Sequence, residues 1–304
     1  MTSFDRYIGI DWSGASEVSK RPNLRIVECG LSGDPRPVYP EEVGQRSNIK
    51  NWKREEVIEY LNDVLSSNNR TLIGVDAAFG YPKGVGKQLF GVANWHKMVD
   101  QVGESAKNKV WSEALRELNE RIGGVGSGPF YFGSTEDAVE SSDGNRAPYS
   151  SSQFYVENDI PYYRLVENYV PQAISTFYAG AGAKVAAHTV TWLPILDALM
   201  KERDNGGTLD FGVWPHEEDW AQRQHVIVEC YPALYTDSSF DSVDDAEAQF
   251  SNSDELDAAR VACWLHEKAA SYLTSFPQLT GAAMERVREE GWILGVGVPA
   301  SCTA

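Results

Sequence analysis

Two stretches of this chain, YIGIDWSGA at 7–15 and LIGVDAAFG at 72–80, share a short apolar run, a glycine in its middle and an aspartate at its end. Side chains alternate faces along a strand, so Gly9 and Asp11 share one face while Ile8, Ile10 and Trp12 share the other, and Gly74 and Asp76 repeat the arrangement. If the two strands are parallel neighbours, their carboxylates come within about 5 Å of each other. They then sit at the carboxyl ends of the strands, where open α/β sheets bind ligands. A glycine two residues earlier weakens a strand, and finding it twice implies close approach by a neighbouring backbone or a ligand. A lone aspartate at a strand end often does no more than begin a turn; the repetition argues for more.

The elements around this pair predict an α/β fold. LRIVECG (24–30) reads as a second strand and RPVYP (36–40) as a short third, with Gly33, Asp34 and Pro35 turning between them. From Lys53, Val57, Tyr60, Leu61, Val64 and Leu65 fall at helical spacing. The order is therefore β, β, β, α, β. Strand character resumes at HVIVECYP (225–232), and a helix runs from Asp254 to Tyr272, opened by Asn252 and Glu255 at capping-box spacing. A further helix near 281–289 precedes GWILGVGV. Between these ends, 80–223 reads as an insertion with its own packing, with helices near 85–102, 105–122, 162–179 and 190–204 separated by glycine- and serine-rich stretches. The expected division is a core of 1–79 and 224–304 with 80–223 as a mainly helical cap.

Charge constrains the partners. With 304 residues and 42% hydrophobic content the chain can bury a large core, yet its net charge is −17, which repels a long phosphate backbone. Residues 83–121 depart from this average, with seven basic residues against five acidic ones, which leaves +2 there and −19 elsewhere. A solvated helical face accounts for such an excess as readily as a binding face. The four cysteines (Cys29, Cys230, Cys263, Cys302) form no Cys-x-x-Cys pair, so neither a zinc knuckle nor a disulfide framework is indicated. The first residues lack a signal pattern and no apolar run approaches the ~18 residues of a membrane span, so a cytoplasmic protein is expected.

Three more acids stand out. Glu229, in VIVECYP, lies in a strand flanked by apolar residues, where an unpaired carboxylate is costly and a cation or base must accompany it. Asp254 and Asp257 lie three apart on one side of the helix that follows, although an acid in a helix's first turn is favoured by the dipole alone. Carboxylates converging from several strands and a helix repel one another, and Mg²⁺ or Mn²⁺, which prefer oxygen ligands, are the usual remedy. Two such ions about 4 Å apart can activate a water and stabilise the leaving oxygen of a phosphodiester.

The element order resembles the ribonuclease H-like fold, a mixed sheet flanked by helices whose first and fourth strands are parallel neighbours. More closely, YIGIDWSGA, IGVDAAFGYP, VECYPALY, SDELDAARVACWL and EEGWILGV resemble the family called domain of unknown function 429, described as predicted ribonuclease H-like nucleases. The resemblance covers both ends of the chain and carries nothing over to 80–223. It implies Asp11 as the first-strand metal bridge and Asp76 and Glu229 as ligands on the fourth and fifth strands. Asp257 is then the helical ligand, with Asp254 as a helper. Asp11, Asp76, Glu229 and Asp257 would be catalytic, with Mg²⁺ or Mn²⁺ as cofactor and nucleic acid or a nucleotide as substrate.

Within the insertion, Lys83, Lys87 and Arg164 are the expected contacts to substrate phosphate. GAGAKVAAHTV offers Lys184 and His188; His188 is a candidate to position a water or a phosphate, though an isolated histidine in an alanine-rich run is more often packed. His96 and His216 have no ligand spacing and read as surface or aromatic-packing residues. Two other classes of function stay open. GIDWSGAS also resembles the first phosphate loop of the sugar-kinase and actin superfamily, with Ser13 where that loop has glycine, which would make the chain an ATP-dependent phosphotransferase. The third reading is a non-catalytic binding or scaffold protein. Oligomeric state is not legible.

Overall fold

The computed structural model describes residues 3–14, 23–45, 49–92, 94–107, 109–123, 128–130, 139–140, 146–147, 151–180, 185–235, 250, 252–276, 279 and 281–297. Ala15 and Ser16 of the first loop and Lys184 lie outside the described residues. The apolar runs form a six-stranded mixed sheet from β1 (Arg6–Asp11), β2 (Arg25–Cys29), β3 (Pro35–Val38), β4 (Thr71–Val75), β7 (Phe211–Trp214) and β8 (His225–Glu229), in the order β3-β2-β1-β4-β8-β7. The pairs β1–β2 and β2–β3 are antiparallel; β1–β4, β4–β8 and β7–β8 are parallel. A separate antiparallel pair, β5 (Val139–Glu140) and β6 (Arg146–Ala147), stands apart from this sheet.

The repeated strands are paired in register, Ile8 opposite Ile73, Gly9 opposite Gly74 and Ile10 opposite Val75, and the Asp76 amide continues the ladder by donating to the Ile10 carbonyl at 2.9 Å. Parity then divides the core. Ile8, Ile10, Trp12, Ile26, Ile73, Val75 and Ile227 pack on one side with α1 (Arg54–Leu65), α3 (Trp95–Ala106), α4 (Trp111–Gly123) and α6 (Val185–Asp204). Tyr7, Val27, Leu72, Val226, Val228 and Cys230 pack on the other with α7 (Ser253–Trp264). Both glycines face α7. A Cβ on Gly9 would collide with the Ala258 carbonyl oxygen and lie 2.7 Å from the Ala262 amide nitrogen, and one on Gly74 would lie 2.7 Å from Val261 Cγ1. The glycines and the small residues Ala258, Ala259 and Ala262 let helix and sheet approach closely, which sets the first turn of α7 beside the ends of β1 and β4.

Asn252 caps α7, its side chain accepting from the Glu255 amide at 2.8 Å. The helix expected to run on to Tyr272 instead passes through a π-turn at Leu265–Ala269 into α8 (Ala270–Ser275), and α9 (Ala282–Glu290) follows.

The middle segment departs from its expected independence. Phe211–Trp214 supplies the edge strand β7, and Val190, Leu193, Leu196 and Leu199 of α6 share one buried cluster with Ile8, Ile10 and Val75. A helix forms at α5 (Ser151–Asn158), whereas 162–179 holds only a short 3₁₀ turn, Val166–Tyr169. Pro171 explains the latter: it lacks an amide hydrogen and drives the residue before it out of helical space, and Val170 is extended at φ −121°, ψ 94°. The expected helix 85–102 is split into α2 (Val85–Phe90) and α3 by Gly91, which takes φ 67°.

Candidate functional site

Asp11 ends β1 and Asp76 directly follows β4, both on the side that faces α7, so they stand at neighbouring strand ends beside Asp254 and Asp257 in the first turns of that helix. Burial pushes the Asp11 carboxyl well above the usual carboxylate range, and the negative charges of Asp76, Asp254 and Asp257 push it further, with Arg25 the opposing charge. Asp76 is pushed up to about 8, by burial first and then by Asp257 and Glu229. Asp257 is also raised by burial, against Arg260, which donates to it at 2.7 Å.

Glu229 falls on the other side. It shares the parity of Ile227, opposite Val75, so its side chain turns away from α7 and meets Arg164. Two guanidinium nitrogens donate to the two Glu229 oxygens at 2.7 and 2.6 Å, a bidentate clamp, and the Phe79 amide donates to one of them at 3.0 Å. The third arm of Arg164, Nε, donates to Glu167 at 2.8 Å, whose other oxygen accepts from the Arg164 amide. All three side chains are buried. Burial opposes the charge on Arg164, but Glu229 and Glu167 outweigh it and hold the guanidinium firmly protonated.

A cavity of about 190 Å³ opens at this end of the sheet, lined by Asp76, Ala77 and Ala78 after β4, by Glu229 at the end of β8 with Cys230 and Tyr231 after it, and by Arg164, Glu167, Ala173, Ile174, Val185 and His188 from the middle segment. That segment therefore forms one wall of the carboxylate cleft. His188 is half-buried in the first turn of α6, against the loop after β1: a Cβ on Gly14 would lie 2.7 Å from its Cδ2.

The expected set is thus only partly assembled. Asp11, Asp76, Asp254 and Asp257 share a field, and Asp76, Glu229, Arg164 and His188 share a cavity. No three of the five expected ligands bring carboxylate oxygens within 4.8 Å of one another. Arg164 is corrected from a phosphate contact to the buried counter-ion of Glu229 and Glu167, because every arm of its guanidinium is already engaged within the protein. Lys83 and Lys87 are exposed and do not line the cavity. The spacing of three in YYRLVENY already pairs Arg164 with Glu167, but Glu167 is not among the expected site residues; in the structure it is the second acid that Arg164 holds. His216 is stacked on Trp95 with ring centroids 3.9 Å apart, and burial lowers its pKa to about 3.

Among the described residues, one group does bring three carboxylates within 4.8 Å: Asp100, Glu104 and Asp197, which could hold a metal ion. The ammonium of Lys201 stands among them, 2.7 Å from Asp100, 2.7 Å from Asp197 and 3.4 Å from Glu104.

No family model, curated protein or solved structure matches the chain. Among the described residues no helix is long and apolar enough to cross a membrane.

Proposed function

We propose that the chain is a ribonuclease H-like, metal-dependent phosphodiesterase that acts on a nucleotide or on nucleic acid at the end of β1 and β4. The observation that carries this reading is the mutual repulsion of Asp11 and Asp76, side by side on parallel strands, with Asp254 and Asp257 adding to it. Buried like charges are costly unless a cation joins them. The strand order, with three antiparallel strands followed by three that pair in parallel, and the motif resemblance to domain of unknown function 429 point the same way.

The donor set fits a hard cation. All of its atoms are carboxylate oxygens, and their wide spacing suits Mg²⁺ or Mn²⁺, which keep several waters and are often bound through only one or two carboxylates. Asp11 and Asp76 would hold the ion, with Asp254 and Asp257 supplying field. When bound, it lowers the pKa of a coordinated water and neutralises charge on the phosphodiester oxygens. Glu229 is not in this set, since Arg164 holds both of its oxygens. Arg164 instead offsets one of the two charges of Glu229 and Glu167, so that wall of the cleft repels a phosphate less than the two acids alone would. At about 190 Å³ the cavity is below the ~300–1,000 Å³ typical of drug-sized ligands, so one nucleotide unit is the portion of substrate it would receive.

Two measurements test the reading: Mn²⁺ titration by calorimetry, and hydrolysis of bis-p-nitrophenyl phosphate and short single-stranded oligonucleotides. Asp11→Asn and Asp76→Asn should each weaken Mn²⁺ binding by about tenfold or more and abolish Mn²⁺-dependent hydrolysis, whereas Glu229→Gln should leave Mn²⁺ affinity within about threefold. Absence of Mn²⁺ binding by the wild-type chain would favour a scaffold instead, and turnover of ATP would favour a phosphotransferase.

A further inference from the structure

Two of the seven cations of the base-rich segment line a different cavity. Lys107 and Lys109, in the connection between α3 and α4, join Arg54 of α1 around a space of about 240 Å³. His188, in the first turn of α6, lines the carboxylate cavity, while Thr191, Pro194 and Ile195, further along the same helix, line this one. Three basic side chains share one hollow in a chain of net charge −17, with Glu55 as the acidic lining residue. Lys109 is partly occupied, since it donates to the Ser105 carbonyl at 2.8 Å and pairs with Glu117. Lys107 is exposed at the rim and Arg54 is half-buried, donating to the Ser13 carbonyl at 3.1 Å. Between the charges lie the half-buried Trp111, Ile58 and Pro194, which offer flat apolar surface.

We propose that this second cavity binds a small phosphorylated compound carrying a flat ring, of the chemical class of a nucleoside monophosphate. Arg54 and Lys107 take the phosphate: a guanidinium fork matches phosphate oxygens, and charge-assisted bonds at a half-buried group are stronger than those at an open surface. Trp111 takes the ring, for which indole stacking is suited. Burial depresses the Arg54 pKa, so an arriving anion meets a cation that has lost part of its hydration. The cavity is also wired to the carboxylate end of the sheet. Arg54 holds the Ser13 carbonyl, and Thr191, in the cavity wall, accepts from the Trp12 indole at 3.0 Å, so both grip the two residues that follow Asp11.

This inference does not depend on metal chemistry at Asp11 and Asp76, and calorimetry on the full chain without divalent metal keeps the two apart. The probes are AMP, adenosine and inorganic phosphate. AMP should bind saturably, with adenosine and phosphate each at least about tenfold weaker, because each lacks one half of the recognition. Lys107→Glu, at an exposed position that cannot disturb the core, should weaken AMP by about tenfold or more, and Arg54→Gln should weaken it as well. Asp76→Asn, in the other cavity, should leave AMP affinity within about twofold. Adenosine or phosphate binding as tightly as AMP would overturn the proposal. So would unchanged affinity in Lys107→Glu, loss of affinity in Asp76→Asn, or no binding at millimolar AMP.

Discussion

Two groups of carboxylates meet at the end of this sheet, and they differ in what accompanies them. On the side facing α7, Asp11 and Asp76 repel each other and are raised in pKa. On the other side, Glu229 and Glu167 are the more deeply buried acids, yet Arg164 takes both in one network of short hydrogen bonds. The number of carboxylates is similar; the supply of cation from within the chain is not. A carboxylate cluster indicates a metal only where the protein leaves its charge uncompensated. By that criterion the α7 side is the candidate centre, and the Arg164 side is framework that shapes the cleft.

The sharpest way to break the comparison is to remove the arginine. Arg164→Met keeps volume but leaves Glu229 and Glu167 buried without their cation, a change that typically costs about 3–5 kcal/mol. Urea unfolding should show a loss of that size. A loss under about 1 kcal/mol would mean that the clamp is not what compensates these acids.

Substitution on the other side should act in the opposite direction. Folding raises Asp76 to about 8, so between about pH 4 and that value the folded chain holds a proton that the unfolded chain has released, and stability falls as pH rises. Asp76→Asn removes this dependence. Without divalent metal its gain in Tm over wild type should reach about 4 °C or more near pH 9, about a quarter of that at pH 5, and should level off above about pH 8. Mn²⁺ should narrow the difference by stabilising only the wild type. A gain that is the same at both pH values would show that Asp76 carries no excess charge to relieve.

Much of this contrast was legible in the residues, and the part that was not has a physical cause. The Ile-Gly-x-Asp echo put each aspartate on the same face as its glycine, because strand periodicity is a local property, while the parallel pairing of β1 with β4 entered as a condition that the fold meets. The glycines signalled close approach, and Ala258 with Ala262 supplied it. Glu229 was recognised as a buried acid that required a partner. Its membership of the Asp11 set failed on parity: it lies between Val228 and Cys230, the neighbours whose side chains face α7. The partner, Arg164, lies 65 residues away in a turn, and no periodicity links such positions. β7 was hidden for a similar reason: four buried residues, Phe211–Trp214, make a strand only because β8 offers a free edge. The triad with Lys201 depends on α3 packing against α6, which charge counts along 83–121 do not reveal.

The smallest expected effect completes the comparison, because it concerns cations that belong to neither group. Lys83 and Lys87 are exposed, and they follow the Asp76 strand closely enough in sequence to have been expected at the substrate. Yet the role of Lys83 in the fold is carried by its backbone, whose amide donates to the buried Glu290 at 2.7 Å, while the adjacent Gly84 amide donates to Glu289 at 2.8 Å. Alanine keeps both of those amides. An exposed ammonium interacts with charges beyond a Debye length, about 8 Å at physiological salt, only weakly. The double variant Lys83→Ala, Lys87→Ala should therefore change Mn²⁺ affinity and AMP affinity by less than about twofold and Tm by no more than about 1 °C. Single-site Lys107→Glu should exceed all of these effects on AMP. If the double variant instead weakened a nucleotide by tenfold, the cations that serve phosphate would lie over the Asp76 cleft. The division of labour would then reverse, with the basic segment serving the carboxylate site and the Arg54 cavity left without a phosphate to hold.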